Sequence, residues 1–284
     1  MIGDTSPTRR YVDGGELEEI LLPGGDVTEG VVRVGDTVRR PVGPHSPLVH
    51  AVLDHLESVG FTGAPRFLGI DDRGREVLTF VDGEVAGRPH PAWTVDEDRL
   101  LSLARLLRAL DDALIGFGLP DIETDTHPDP PGIPPPQQRT LTFIGHHDIT
   151  PENVVWRNGE AYALIDFDLA RPSSRMLEVQ NALMYWAPLS DPADRDADQL
   201  HLDVPRRCRL FADAYGLARE DRAILIDDLT YGTERSWYLM RDRARRLGGG
   251  WARMWDDGVG DQIRRRREWL FAEGPAVTAA LLAE

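Results

Sequence analysis

The run Phe143-Ile-Gly-His-His-Asp-Ile-Thr-Pro-Glu-Asn-Val-Val-Trp156 constrains this chain more than any other stretch. It holds His146-x-Asp148, then Asn153 five residues after the Asp. Asp166 follows 18 residues after Asp148, in Ile165-Asp-Phe-Asp168, directly behind the apolar run Ala161-Tyr-Ala-Leu164. That interval accommodates a loop, a strand, a turn and a return strand. The order of side chains is the one a phosphoryl-transfer site needs. One carboxylate takes the proton of an attacking hydroxyl, while an Asn and a second carboxylate, both hard oxygen ligands, hold magnesium on nucleotide phosphates. A bare Asp-x-Asp, as in Asp166 and Asp168, also occurs in metal-dependent glycosyltransferases. The preceding His146-x-Asp148 block argues against that chemistry.

Ahead of this block the chain reads as a small strand-rich unit. Glu19 to Leu22 and Gly30 to Pro41 are strand-like, with turns at Pro23-Gly-Gly25 and Gly35-Asp36. The second turn separates Val31–Val34 from Thr37–Arg40, as in a hairpin. Gly24, Gly25 and Gly30 bracket Asp26-Val-Thr28, a candidate loop whose backbone N–H groups, at Gly25 and Thr28, would face phosphates. Ser46-Pro47 predicts a helix N-cap with Pro at the first helical position. Leu48, Val49, Val52, Leu53 and Leu56 then repeat at helical spacing. Pro65–Gly69 and Glu76–Val81 predict two more strands, and Asp82-Gly83 a turn.

Thr94 with Glu97 predicts a capping box, followed by Leu100, Leu103, Leu107, Leu110 and Leu114 on one helical face. The proline-rich stretch Pro128 to Pro136 predicts an exposed extended segment. Beyond Arg175 the chain reads as helical, with stripes at Ala182–Leu189, Cys208–Tyr215, Ile224–Leu239 and Trp269–Leu282. The expected fold is α+β and two-lobed: residues 1–83 an antiparallel sheet lobe that binds nucleotide, residues 84–284 a mainly helical lobe.

Composition excludes some partners. A formal net charge of −16 disfavours nucleic acid and anionic membrane surfaces, and is compatible with a cationic substrate or with a merely solvated surface. With one cysteine, Cys208, neither an intrachain disulfide nor a cysteine zinc site is available. Residues 1–14 are polar, with no signal-peptide pattern, and no apolar run reaches the ~20 residues that span a bilayer. The expected location is a reducing cytoplasm. The chain contains no lysine; every Lys/Arg position is arginine.

The residues His146, Asp148, Asn153 and Asp166 in this spacing resemble the aminoglycoside phosphotransferase family, kinase-like enzymes that phosphorylate small molecules. The resemblance implies a protein-kinase-like fold, ATP or GTP as co-substrate and Mg²⁺ as cofactor. It implies Asp148 as catalytic base, Asn153 and Asp166 on the metal, and His146 as a buttress of the loop. Val81 falls at the hinge where the purine would meet the backbone. Glu178 stands where the family often has an Asp on the next helix, either holding loop geometry or facing the acceptor. Asp168 either assists the metal or orients its neighbours.

Three positions depart from the pattern. His147 stands where many members have glycine, and either touches substrate or faces solvent. The family's third-strand lysine is absent; Arg39 is its best match and Arg40, pointing to the opposite face, the alternative. The helix glutamate that fixes that lysine is also missing, for the stripe Leu48–Leu56 is interleaved with His50, Asp54 and His55 and the nearest Glu is Glu57. The pair is absent or rebuilt. Tyr185, Trp186, Trp237, Tyr238, Trp251 and Trp255 either line an acceptor pocket or pack the core. The runs Arg241–Arg246 and Arg264–Arg267 either bind anions or form solvated helix faces.

Helix follows the metal loop almost at once, so a small molecule is favoured over a protein substrate. The expected activity is transfer of the γ-phosphate of ATP or GTP to a small-molecule hydroxyl. The alternatives are a nucleotide-binding pseudokinase and a nucleotide-independent scaffold.

Overall fold

The computed structural model describes residues 18–22, 30–121, 129 and 131–283. The expected phosphate loop, including Gly25 and Thr28, lies outside the described residues. Around it, β1 (Glu19–Leu21), β2 (Val32–Val34), β3 (Thr37–Pro41), β4 (Phe67–Ile70) and β5 (Arg75–Thr79) form one antiparallel sheet in the order β1-β2-β3-β5-β4. The β2–β3 hairpin turns at Gly35, whose φ of 59° is left-handed and costs glycine little. Helix α1 (Ser46–Ser58) joins β3 to β4 and buries Leu48, Val49, Val52, Leu53 and Leu56, the predicted stripe.

Two helix starts differ from the sequence reading. The N-cap of α1 is His45, so Ser46 is already helical; its hydroxyl accepts from the Gly43 amide at 3.0 Å instead of capping. Thr94 lies in a short 3-10 turn, Ala92–Val95, and gives its hydroxyl to the Pro91 carbonyl at 2.9 Å. The N-cap of α2 (Glu97–Ile115) is therefore Asp96, and no Thr94–Glu97 capping box forms. In both cases a preceding turn consumes the hydroxyl that local pattern assigned to the cap.

The leucine face of α2 is buried throughout and packs against β6 (Phe143–Gly145) and β8 (Glu160–Leu164). Strand β7 (Val154–Arg157) pairs with β8, and β6 pairs with β9 (Arg171–Ser173). These two small ribbons carry the segments 146–153 and 165–170 between them. Five helices follow: α3 (Arg175–Trp186), α4 (Val204–Tyr215), α5 (Arg219–Leu247), α6 (Gly249–Asp256) and α7 (Val259–Leu282). One continuous apolar core runs from α1 through α2 and the ribbons to α4, α5 and α7. Residues 131–138 are irregular and largely exposed, as expected, but are tied to α5: Tyr231 donates to the Pro135 carbonyl at 2.7 Å and Arg235 to that of Pro134 at 3.0 Å. Among the described residues no helix is long and apolar enough to cross a membrane.

Candidate active site

The segment 146–153 is held from below by α3. The Glu178 carboxylate is fully buried and accepts from the amides of His146 (2.9 Å) and His147 (3.3 Å) and from the Ser173 hydroxyl (2.7 Å). One turn on, the Asn181 amide accepts from the Ile149 N–H at 2.7 Å and donates to the His147 carbonyl at 2.9 Å. Trp186 Nε1 donates to the Ile149 carbonyl at 2.9 Å. Residues 178, 181 and 186 share a helical face, so one helix fixes the loop at three backbone groups besides the two amides held by its acidic anchor. Gly145 is required by the same anchor: a Cβ there would lie 2.1 Å from Glu178 Oε1. Of the two readings of Glu178, the structure gives the geometry-holding one.

His146 buttresses the loop. Its Nδ1 accepts from the Asp148 amide at 3.2 Å, which places the proton on Nε2, and Nε2 donates to the Ile165 carbonyl at 3.0 Å. The ring packs edge-on against Phe167, centroids 4.4 Å apart. Burial holds its pKa down to about 4, so the ring is neutral and ties the 146–153 loop to the 165–168 loop. His147 departs from both sequence alternatives. It is buried with φ 60°, and its Nε2 lies 3.4 Å from Glu178 Oε1, facing neither solvent nor the cleft. The left-handed backbone explains why glycine is the usual solution at such a place.

Asp148 emerges half-buried at the tip. Asn153 Nδ2 donates to its Oδ2 at 2.7 Å and to its carbonyl at 3.0 Å. Burial first, and then the charge of Asp166, push the Asp148 pKa up to about 6, with the Asn153 bond opposing. With Nδ2 engaged, Oδ1 is the Asn153 atom that can ligate a cation. Asp166 has φ 64°, a left-handed turn that aims its carboxylate into the cleft, where the side chain is 40% exposed. Its pKa is raised by partial burial and by Asp168, against the pull of Arg40.

The strand arginines resolve in the opposite order to the sequence reading. Arg39 points away from the loops; its Nη1 meets Asp71 at 3.4 Å and its Nε meets Thr37 at 3.2 Å. Arg40 faces the cleft, with Asp166 at 3.2 Å, Asp168 at 2.7 Å and Glu76 at 2.6 Å. Alternation along β3 follows from strand geometry, but which parity faces inward does not. Burial works against the Arg40 charge, yet Asp168, Glu76 and Asp166 together outweigh it and raise its pKa.

The missing helix glutamate is rebuilt from a strand. Glu76 on β5 stands directly across from Arg40 in the β3–β5 register, and His50 of α1 approaches its other oxygen at 2.5 Å. The acid beside the cleft-facing arginine comes from the sheet, and the helix contributes a histidine. Asp168 is bound by Arg40 and by His45 Nε2 at 3.2 Å, and so orients its neighbours. Sequence reasoning missed Glu76, His45 and Asn181. Only Asn181 left a local signal, its spacing of three from Glu178.

Val81 lies in the segment that connects β5 to an isolated bridge between Glu84 and Trp156. There Gly83 has φ 153°, and a Cβ would meet Val155 at 2.5 Å, so the connection passes tightly over β7. On the far side of the loop, Glu152 is paired with Arg88 and with His90 (3.3 Å), and His90 also meets Asp196 at 2.7 Å. Trp186 belongs to the core, whereas Tyr185 is half-buried, and burial first raises its pKa, with Arg266 opposing and Asp148 adding.

The fit to a divalent cation is one of hard oxygens. Among the described residues no three His, Cys, Asp or Glu side chains form a metal cage. Asn153 and Asp166 together offer two kinds of oxygen, which suits magnesium, an ion that keeps waters and shares phosphate oxygens.

Sheet, helix and paired loops together define a kinase-like fold. It is also that of a GDP complex of aminoglycoside 2'-phosphotransferase-IIIa (TM-score 0.59, 13% identity, 92% of this chain and 95% of that one). A choline/ethanolamine kinase family protein from Mesorhizobium loti matches similarly (TM-score 0.56, 15% identity, 95% and 93% covered). The model of the phosphotransferase enzyme family matches residues 122–211, the stretch that carries both loops. A trifolitoxin immunity protein of Rhizobium leguminosarum bv. trifolii is 37% identical over 219 residues, 75% of this chain and 79% of the relative. The chain belongs to the aminoglycoside phosphotransferase family of phosphotransferases.

Proposed function

We propose that this protein transfers the γ-phosphate of ATP or GTP to a hydroxyl of a small molecule, with Mg²⁺. The observation that carries the reading is the cleft itself: Asp148, oriented by Asn153, faces Asp166 across from Arg40. Asp148 accepts the proton of the acceptor hydroxyl as the bond to phosphorus forms. Its pKa of about 6 leaves it ionised at neutral pH yet more basic than an ordinary Asp. Asn153 Oδ1 and the Asp166 carboxylate would hold the metal, which supplies charge neutralisation on the phosphates.

Arg40 takes the part expected of Arg39. It reaches the phosphates from β3, with Glu76 and His50 fixing its guanidinium as a helix glutamate fixes a lysine elsewhere. Its fork matches phosphate oxygens in pairs. The rebuilt pair favours an active enzyme over a pseudokinase. Gly25 and Thr28 would cover the phosphates and Val81 the base. The protein would work in the cytoplasm, without nucleic acid or membrane partners.

The relative's name adds a biological direction. The acceptor would be a toxic compound that phosphorylation disarms, and the protein would protect its producer or host. The test is incubation of the purified protein with γ-labelled ATP or GTP, Mg²⁺ and a library of hydroxylated compounds. A labelled product supports the reading. Nucleotide binding with no transfer to any acceptor supports the pseudokinase.

A further inference from the structure

The connection between the two lobes is held from both ends. On the sheet side, the Phe80 N–H donates to the Asp36 carbonyl at 2.8 Å, and the Arg33 guanidinium lies 3.7 Å from the centroid of the Phe80 ring. Both partners belong to the β2–β3 hairpin. On the helical side, Arg157 Nε donates to the Asp82 carbonyl at 2.9 Å. Glu84 exchanges both backbone bonds with Trp156, at 2.9 and 2.8 Å, and its carboxylate accepts from Arg99 of α2 at 3.1 Å. Val81 is the residue between the two sets of contacts. It is half-buried, and its N–H and carbonyl have no partner among the described residues.

Arg157 is itself fixed. Its guanidinium lies 3.4 Å from the ring centroid of Tyr162, on β8, the strand paired with β7. A planar guanidinium can stack by one face and still donate from its edge, whereas an ammonium has no such plane. Arg157 ends β7, and β7 begins at Val154, directly after Asn153. One short strand therefore follows the metal-ligating candidate and carries the linker clamp at its last residue. The linker is exposed from Asp82 to Glu84 and contains Gly83 at φ 153°, so little in its own sequence fixes its peptide planes. Without the clamp, that freedom would be lost each time a ligand bound the Val81 backbone, and binding would weaken accordingly.

We infer that Arg157 is a positioning residue for the nucleobase. By tying the Asp82 carbonyl to β7 it holds the adjoining Val81 peptide groups at a set place relative to Asn153, so that base and phosphates are registered along one strand. This rests on the phosphotransferase reading above. Arg157 acts through the linker and not by touching nucleotide. Its contribution is therefore confined to ligands that carry a base.

The test compares ligands that share parts of the nucleotide: Mg-ATP or Mg-GTP, whichever the wild type binds, the matching nucleoside, and Mg-tripolyphosphate. Affinities are measured for the wild type, Arg157→Ala and Arg157→Lys, directly for the nucleotide and by competition against it for the other two. Arg157→Ala should weaken the nucleotide and the nucleoside by roughly 10-fold, the scale of one hydrogen bond from a charged group, and leave Mg-tripolyphosphate as in the wild type. Arg157→Lys should recover part of the loss. Equal losses for nucleotide and Mg-tripolyphosphate, or wild-type nucleotide affinity in Arg157→Ala, overturn the inference while leaving the phosphotransferase reading intact. A wild type that binds neither Mg-ATP nor Mg-GTP overturns both.

Discussion

Arg40 is the residue whose removal separates fold from function most sharply. It is 6% exposed and lies between Glu76, whose side chain is fully buried, and the Asp166–Asp168 pair. Arg40→Ala strands Glu76 with His50 as its one remaining counter-charge among the described residues, takes the arginine from Asp166 and leaves Asp168 to His45. Breaking a buried pair from one side costs about 3–5 kcal/mol. At roughly 2–4 °C per kcal/mol for a chain of this size class, melting should fall by about 6–20 °C. Arg39→Ala is a different case, because Asp71 keeps Arg75 Nε at 2.8 Å and the amides of Arg73 and Arg75. Its cost should stay near 1 kcal/mol. Adding Glu76→Gln to Arg40→Ala removes the stranded charge and should return much of the stability without restoring nucleotide affinity. The assay is thermal melting with and without Mg-nucleotide for all three variants. Equal melting losses for Arg39→Ala and Arg40→Ala, or wild-type nucleotide affinity in the double variant, would refute this reasoning.

Three further outcomes follow from the geometry. Asp166→Ala and Asn153→Ala should both weaken the magnesium-dependent part of nucleotide binding, Asp166 more because it carries charge; magnesium titrations of nucleotide affinity check this. Asn181→Ala leaves the Ile149 amide and the His147 carbonyl without their partner, costs about 1–3 kcal/mol, and should lower kcat more than it alters nucleotide affinity. His90, between Glu152 and Asp196, has its pKa raised by the Glu152 bond first, so its stabilisation is present below about pH 6.5 and fades as pH rises through the raised value. The melting difference between wild type and His90→Gln should thus be largest at acid pH and shrink as pH rises through the raised value, at under about 1 kcal/mol given solvent screening.

Much of this molecule is legible in its sequence. The α1 and α2 stripes, the hairpin at Gly35 and the helical series after Arg175 follow from short-range periodicity, which sequence carries directly. Helix starts at Ser46 and Thr94 did not, because neighbouring turns compete for the same hydroxyls. The parity of β3 was hidden for a stronger reason. Whether Arg39 or Arg40 faces inward depends on β3 lying beside β5, a partner reached only after α1 and β4. The same pairing brings Glu76 to Arg40, so the rebuilt ion pair was invisible for the same cause. His147 was misread because its left-handed backbone turns the ring toward Glu178 rather than outward.

The central claim is that Asp148 serves as the base of a phosphoryl transfer. The most direct measurement is mass spectrometry of an accepted hydroxyl compound after incubation with Mg-ATP or Mg-GTP and either wild type or Asp148→Asn. The account predicts a product heavier by one phosphoryl group with the wild type, and a fall in kcat of about 10²–10⁴ for the variant at unchanged nucleotide affinity. Wild-type turnover by Asp148→Asn would contradict it.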